Sequence, residues 1–398
     1  MGSPVPPFPR PAPRLPDHFQ GHGPQAGSLL RLRRHPPGRT TPRSRNRHAV
    51  HNRHRHRLLH QEHGAGCLPA GLAGRSPRRC DQGNRCLAWR LRTSRRGYEE
   101  GWRRLRQGFG PGLVIPRLRT HVQALLGERH PLSSPDRLRQ AEAYLCETFS
   151  RLGLTVSTHA FDAFGDSYRN VVASLPGTQP ETAPLIIAAH YDTVPDSPGA
   201  DDNASGLAVM LEVARSLQAI PLLRPVELIG FCLEEENLLG SLAYASQLRE
   251  RGQDIYGAVV LECVGFASSE EGSQRRPPGT PIPVPSIGDF LAIVGNVASA
   301  DLTAAVERQA NQQVPELKTI SLVVPGKGEL LPDTRRSDHA AFWHYGYPAV
   351  MLTDTANFRN PHYHQPTDTI EGLNFMFMEQ VARAVTAAAL DLAGRPSE

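Results

Sequence analysis

LIIAAHYDTVPDSPGADDNASGLAVMLEVARSLQ, Leu185–Gln218, is the stretch whose reading decides the fold. It opens on an unbroken apolar run, Leu185–Ala189, which predicts a strand covered on both faces. A loop rich in Pro, Gly and Asp follows. Leu207, Met210, Leu211, Ala214 and Leu217 then recur at helical spacing and predict an amphipathic helix. Asp202 or Asn203 stands where its N-cap belongs.

The same texture extends in both directions. Upstream, Leu138, Ala141, Tyr144, Leu145, Phe149 and Leu152 predict a helix that Gly153 stops, followed by the β-rich runs LTVSTHAF and YRNVVASLPG. Downstream come strand VELIGFCLEE, helix GSLAYASQLRERG and strand YGAVVLECVG. After a Pro-rich insertion at Gly272–Gly288, strand FLAIVGN leads to a helix near Ala300–Gln313, then to strand TISLVVPG. SDHAAFWHYGYPAVMLTDT reads as helix then strand, and a last helix runs from about Asn374 to Leu392. Apolar strands alternating with amphipathic helices predict an α/β fold, a three-layer α/β/α sandwich around a mixed, mostly parallel sheet. In such sheets ligands bind beyond the carboxyl ends of the strands. His190, Glu234, Glu235 and Glu262 all fall at such ends.

The chain divides sharply in charge. Residues 1–110 hold 23 Arg, no Lys and 5 acids, whereas the remainder holds 21 basic and 34 acidic residues. We therefore expect residues 1–115 to be an Arg/His/Pro-rich segment outside the fold and residues 116–398 to be the folded domain. Three readings of the segment stand open: a disordered basic arm, a mis-extended start in a GC-rich gene, and a nucleic-acid-binding arm. The absence of lysine favours the second, and the scarcity of aromatics counts against the third, so no nucleic-acid partner is expected. No 18-residue apolar window predicts a membrane span, and the opening MGSPVPPFPRPAPR has no apolar core of a signal peptide. Localisation stays open. Cys146, Cys232 and Cys263 form no CxxC pair and read as buried free thiols.

Five short stretches supply oxygen and nitrogen ligands of the kind divalent zinc accepts. They carry His190 with Asp192, Asp201, the pair Glu234–Glu235, Glu262, and His364. Gathered without a cation, the carboxylates would repel one another and protonate. Asp192, two residues beyond His190 on the same face of a strand, suits the far nitrogen of that imidazole. A hydrogen-bonded core histidine is the plainer reading of HxD alone. Asp201 and Asp202 open a helix, where either acid suits the helix dipole. We assign the role of metal bridge to Asp201 and of cap to Asp202. Glu234 and Glu235 point in different directions, so one can bind metal while the other acts as general base. An exposed acidic run is the bland alternative, weakened by the buried strand it ends. Glu262 sits in the apolar run VVLECVG and needs a partner, a metal or a buried cation.

The ordered set HxD, GADDNASG, EE…GS, a carboxylate after a strand, SDHAAF and NPHYHxPTDT resembles metallopeptidase family twenty-eight. These are the co-catalytic zinc aminopeptidases of the bacterial leucyl aminopeptidase and aminopeptidase Y type. The resemblance covers about Leu118 to Leu392. It implies a zinc-exopeptidase fold, a peptide substrate and two zinc ions. One ion would be held by His190, Asp201 and Glu262, the other by Asp201, Glu235 and His364. Glu234 would be the general base, and Asp192 would orient His190. The chain departs from the pattern at Glu262, where the family more often has Asp, and at Asn237, where Gly is usual. Thr334 and Arg335 occupy the neighbourhood in which some members carry a Tyr that steadies the tetrahedral intermediate. Other readings are a di-zinc carboxypeptidase or deacylase, a single-zinc enzyme resembling glutaminyl cyclase, and a non-catalytic binding protein.

Overall fold

The computed structural model describes residues 114–394. The Arg-rich segment expected over 1–115 lies outside them except for its last two residues, which belong to the first helix. Helices are α1 Val114–Leu125, α2 Pro135–Arg151, α3 Gly206–Leu217, α4 Leu239–Glu250, α5 Ala300–Gln313, α6 His339–His344 and α7 Phe375–Ala393. Strands are β1 Thr155–Ala163, β2 Asp166–Leu175, β3 Leu185–His190, β4 Val226–Phe231, β5 Gly257–Glu262, β6 Phe290–Asn296, β7 Lys318–Val324 and β8 Ala349–Thr353. Among the described residues they form one sheet in the order β1-β2-β4-β3-β5-β8-β6-β7.

The central strands β4, β3, β5 and β8 run parallel, and β6 pairs with β7 in parallel. The hairpin β1–β2 and the junctions β2–β4 and β6–β8 are antiparallel, so the sheet is mixed. All six residues of β3 and of β5 are buried, as continuous apolar strands require. Alternate side chains separate the two faces. Leu185, Ile187 and Ala189 join the cluster under α1, α2, α3, α5 and α7, whereas Ile186 and Ala188 join the one under α4 and α6. These are the three layers read from the alternation.

Two elements differ from the sequence reading. Helix α3 is buried on almost every side rather than amphipathic, because α1 and α7 pack over its outer face. Its one acid, Glu212, is fully buried, and Arg117 meets it in a two-pronged ion pair. Strand β4 ends at Phe231, four residues before Glu235. Leu233, Asn237 and Leu238 all adopt positive φ, so the chain turns sharply and carries the acidic run across the sheet edge. No helix among the described residues is long and apolar enough to cross a membrane.

Candidate metal centre

His190 is the last residue of β3, paired across the ladder with Phe231 at the end of β4. Glu262 ends β5 beside Thr353 of β8. Parallel register thus delivers both side chains, with the turn after β4, to one edge of the sheet. The loop after β3 and the loop before α7 close over that edge and bring Asp202 and His364.

The side chains meet closely. His190 Nε2 lies 3.1 Å from Asp202 Oδ1, 3.4 Å from Glu262 Oε2 and 3.9 Å from Glu234 Oε2. His364 Nε2 lies 3.0 Å from Asp202 Oδ2 and 3.2 Å from Glu235 Oε2. His190–Asp202–Glu262 and Asp202–Glu235–His364 each bring one ligand atom per residue within 4.8 Å of the others. Asp202 belongs to both groups, one oxygen to each.

The carboxylate between the two imidazoles is therefore that of Asp202, not Asp201 as expected from the sequence. Asp202 has extended backbone angles, and consecutive side chains on extended chain point opposite ways. Asp201 turns back into the protein, where its carboxylate accepts from Gly265 N at 2.8 Å and from Asn360 Nδ2 at 2.7 Å. The N-cap position of α3 is Ser205 rather than Asp202, and Asn203 Oδ1 accepts from the helix's first N–H at Gly206. The same side chain reaches across to Leu261 O and Cys263 N beside Glu262.

Asp192 stands 3.5 Å from His190 Nδ1. Its two oxygens also accept the backbone N–H groups of Glu234 and Glu235 at 3.1 and 3.0 Å, so it holds the turn after β4 as well. Glu236, the third acid of the run, points away from the cluster to His130 at 3.1 Å. Ser337 donates to Glu262 Oε2 at 2.7 Å.

His190 Nε2, both oxygens of Asp202, Glu235 Oε1 and His364 Nε2 are buried, yet none makes a hydrogen bond. Buried polar atoms are rarely left so, and here they converge. Their charge balance is equally incomplete. Burial, and then repulsion by Asp202, pushes the Glu235 carboxyl up to about 7. Burial also drives Glu234 well above the usual carboxylate range, with Glu262 and Glu235 adding to it against the pull of His190. Burial works to discharge His364, but Asp202 and Glu235 outweigh it and raise the imidazole to about 10. Divalent cations would satisfy the unpaired lone pairs and remove this repulsion together, so the residues present fit a pair of such ions.

Three supporting residues carried no assigned role in the sequence reading. Asp368 accepts the N–H groups of Asp201 and Asp202 at 2.9 and 3.1 Å, fixing the loop that aims Asp202. It lies in the PTDT run beside His364, where its signal was visible but unread. Asp338, fully buried beside Ser241, is pushed up to about 7 chiefly by burial. Arg129 is 1% exposed and donates to Tyr191 O, Pro198 O and Gly199 O, binding the end of β3 to the Asp202 loop. A lone arginine in a loop gives no sequence signal of that kind.

A model described as peptidase family M28 matches residues 170–389. The chain belongs to peptidase family M28. It is accordingly a peptidase hydrolase. Within 287 aligned residues the chain is 34% identical to the uncharacterized protein YfbL of Escherichia coli K12, covering 68% of this chain and 85% of YfbL. It is 30% identical over 207 residues to aminopeptidase YwaD of Bacillus subtilis, covering 51% of this chain and 40% of that protein. The chain thus spans most of YfbL but under half of YwaD. Among solved structures, LapA aminopeptidase of Legionella pneumophila has TM-score 0.59 at 19% identity, covering 75% of each chain. Porphyromonas gingivalis glutaminyl cyclase has TM-score 0.53 at 20% identity, covering 70% of this chain and 97% of that one. Both likenesses concern the fold alone.

Proposed function

We propose that the chain is a zinc-dependent aminopeptidase with two ions held on a shared carboxylate. The observation that supports this best is Asp202, whose two oxygens each face a different imidazole, with one further carboxylate completing each group. His190, Asp202 and Glu262 would hold one ion, and Asp202, Glu235 and His364 the other. Bound there, two zinc ions supply Lewis-acid polarisation of the scissile carbonyl and acidify a water molecule.

The chain's own groups do the rest. Glu234, kept off both shared-carboxylate groups, takes the proton of the attacking water and passes it to the leaving amine. Asp192 fixes the His190 ring and, through two backbone N–H groups, the position of Glu234. The limit to the first peptide bond is what the family likeness implies: a free substrate N-terminus would bind a metal or a nearby acid. Beside Glu262 opens a cavity of about 110 Å³ lined by Ile282, Val284, Val294, Leu322 and Met351, which fits an uncharged side chain. Ile282 and Val284 come from the Pro-rich insertion.

Fluorogenic aminoacyl amides tested against N-acyl amino acids separate this reading from a carboxypeptidase or deacylase. Release from free-amino substrates, blocked by N-acetylation, is expected. Release from the N-acyl compounds alone would contradict it. The glutaminyl-cyclase fold likeness makes an N-terminal-Gln peptide a necessary third substrate, and cyclisation without hydrolysis would favour that single-zinc reading.

A further inference from the structure

Arg336 lies in the chain next to one ligand group, contacts a neighbour of the other, and has no part in the scheme above. Its neighbour Ser337 donates to Glu262 at 2.7 Å, which pins this stretch of chain beside the first group. Its own Nη2 donates to the Tyr363 hydroxyl at 3.1 Å, and the Tyr363 ring stacks on His364 with centroids 3.9 Å apart. That contact ties the same guanidinium to the second group. Nη1 donates to Asn357 Oδ1 at 2.9 Å, and Asp333 approaches only to 3.8 Å. The side chain is 41% exposed, whereas the inward ligand atoms are buried. Glu262 and Glu234 are both within its electrostatic reach.

The other arginines at the centre face elsewhere. Arg129 is spent on backbone carbonyls behind the loop, and Arg359 lies over the Phe290 ring and donates to Gln274. Arg336 shares the wall of the apolar cavity with Glu262 and Tyr363. A substrate that seats its side chain there would lie along the same wall as this guanidinium.

We propose that Arg336 is a catalytic residue, donating hydrogen bonds to the scissile carbonyl oxygen as it becomes an oxyanion; this rests on the peptidase reading above. Attack forms the bond from water oxygen to carbonyl carbon and moves the π pair onto the carbonyl oxygen, while Glu234 receives the water's proton. Collapse restores the C=O bond and breaks C–N, and the proton from Glu234 leaves with the amine. A planar cation already held in place by Tyr363 and Asn357 stabilises the charge that appears between those events without reorganising. No tyrosine is required in the segment before Ser337.

The test uses the zinc-loaded full chain, a neutral aminoacyl p-nitroanilide and a phosphinic peptide analogue of the tetrahedral state. Arg336→Met should lower kcat on the order of 100- to 1000-fold, the effect of removing one oxyanion donor. KM should stay nearly constant, and analogue affinity should fall in step with kcat. Metal content and melting temperature should match the wild type. Should Arg336→Met not fold, Arg336→Lys serves instead: its ammonium cannot hold Tyr363 and Asn357 while reaching the carbonyl, so kcat should still fall about tenfold or more. Unchanged kcat, or a rise in KM alone, would overturn the proposal and make Arg336 a ground-state contact. An active wild type with unaffected variants removes this inference only, whereas a zinc-loaded wild type that hydrolyses none of the substrates removes the peptidase mechanism with it.

Discussion

His190 and Glu262 stand on the last residues of β3 and β5, whereas Asp202 and His364 stand in loops outside any sheet ladder. For the first pair, parallel register fixes the position: once the strands pair, the side chains at their carboxyl ends share an edge. For the second pair, position depends on single polar contacts. Asp368 holds the backbone under Asp202, Gly265 and Asn360 hold Asp201 out of the way, and Arg129 ties the loop to β3. The turn bearing Glu234 and Glu235 is intermediate, begun by β4 and finished by Asp192. The contrast teaches that a candidate ligand at a strand end is secured by the whole sheet, while one in a loop is only as good as its clamp.

That contrast can be broken experimentally. Glu234→Gln removes the proposed proton carrier and leaves the surroundings intact, so kcat should fall about 10²- to 10⁴-fold with both metals retained. Metal analysis beside steady-state kinetics checks this; full activity would refute the assignment of the base. Asp368→Asn loosens the loop but not the strands. Metal affinity should fall about 10- to 100-fold, as for other outer-shell partners. The ion shared by Asp202 and His364 should be the weaker of the two in zinc titrations. Equal weakening of both ions would erase the distinction between strand and loop.

A smaller and graded effect is expected from pH. In the metal-free chain the His364 imidazole is raised to about 10 and the Glu235 carboxyl to about 7, and both must shed protons to bind metal. Burial works to discharge the His190 imidazole as well, but the surrounding carboxylates raise it well above its usual value. Apparent zinc affinity should therefore fall as pH falls, about tenfold per unit between pH 9 and 7 for each imidazole proton that must leave. Below 7 the fall should steepen as Glu235 also holds its proton. Competition titrations across that range test the slope, and a flat response would contradict the charge balance described here.

What the sequence made legible follows the same division. The layers and β3 could be read because a strand covered on both faces must be apolar throughout, and His190 and Glu262 are polar residues closing such runs. Glu234 and Glu235 were legible as a pair, although the strand before them stops earlier than its composition suggests, since positive φ at Leu233 leaves no mark in hydropathy. The choice between Asp201 and Asp202 was not legible. Two adjacent acids have the same chemistry, and what separates them is a backbone turn held by residues as distant as Asp368 and Asn360. The burial of α3 also depends on distant chain, because α1 and α7 supply its outer cover.

Metal stoichiometry in a matched pair of variants tests the central assignment most directly. Wild type should bind two zinc ions per chain, and Asp201→Asn, altered away from the imidazoles, should keep both. Asp202→Asn should lose at least one ion and nearly all activity, because its carboxylate serves both groups. The reverse outcome, with Asp202→Asn fully loaded and Asp201→Asn depleted, would contradict the account.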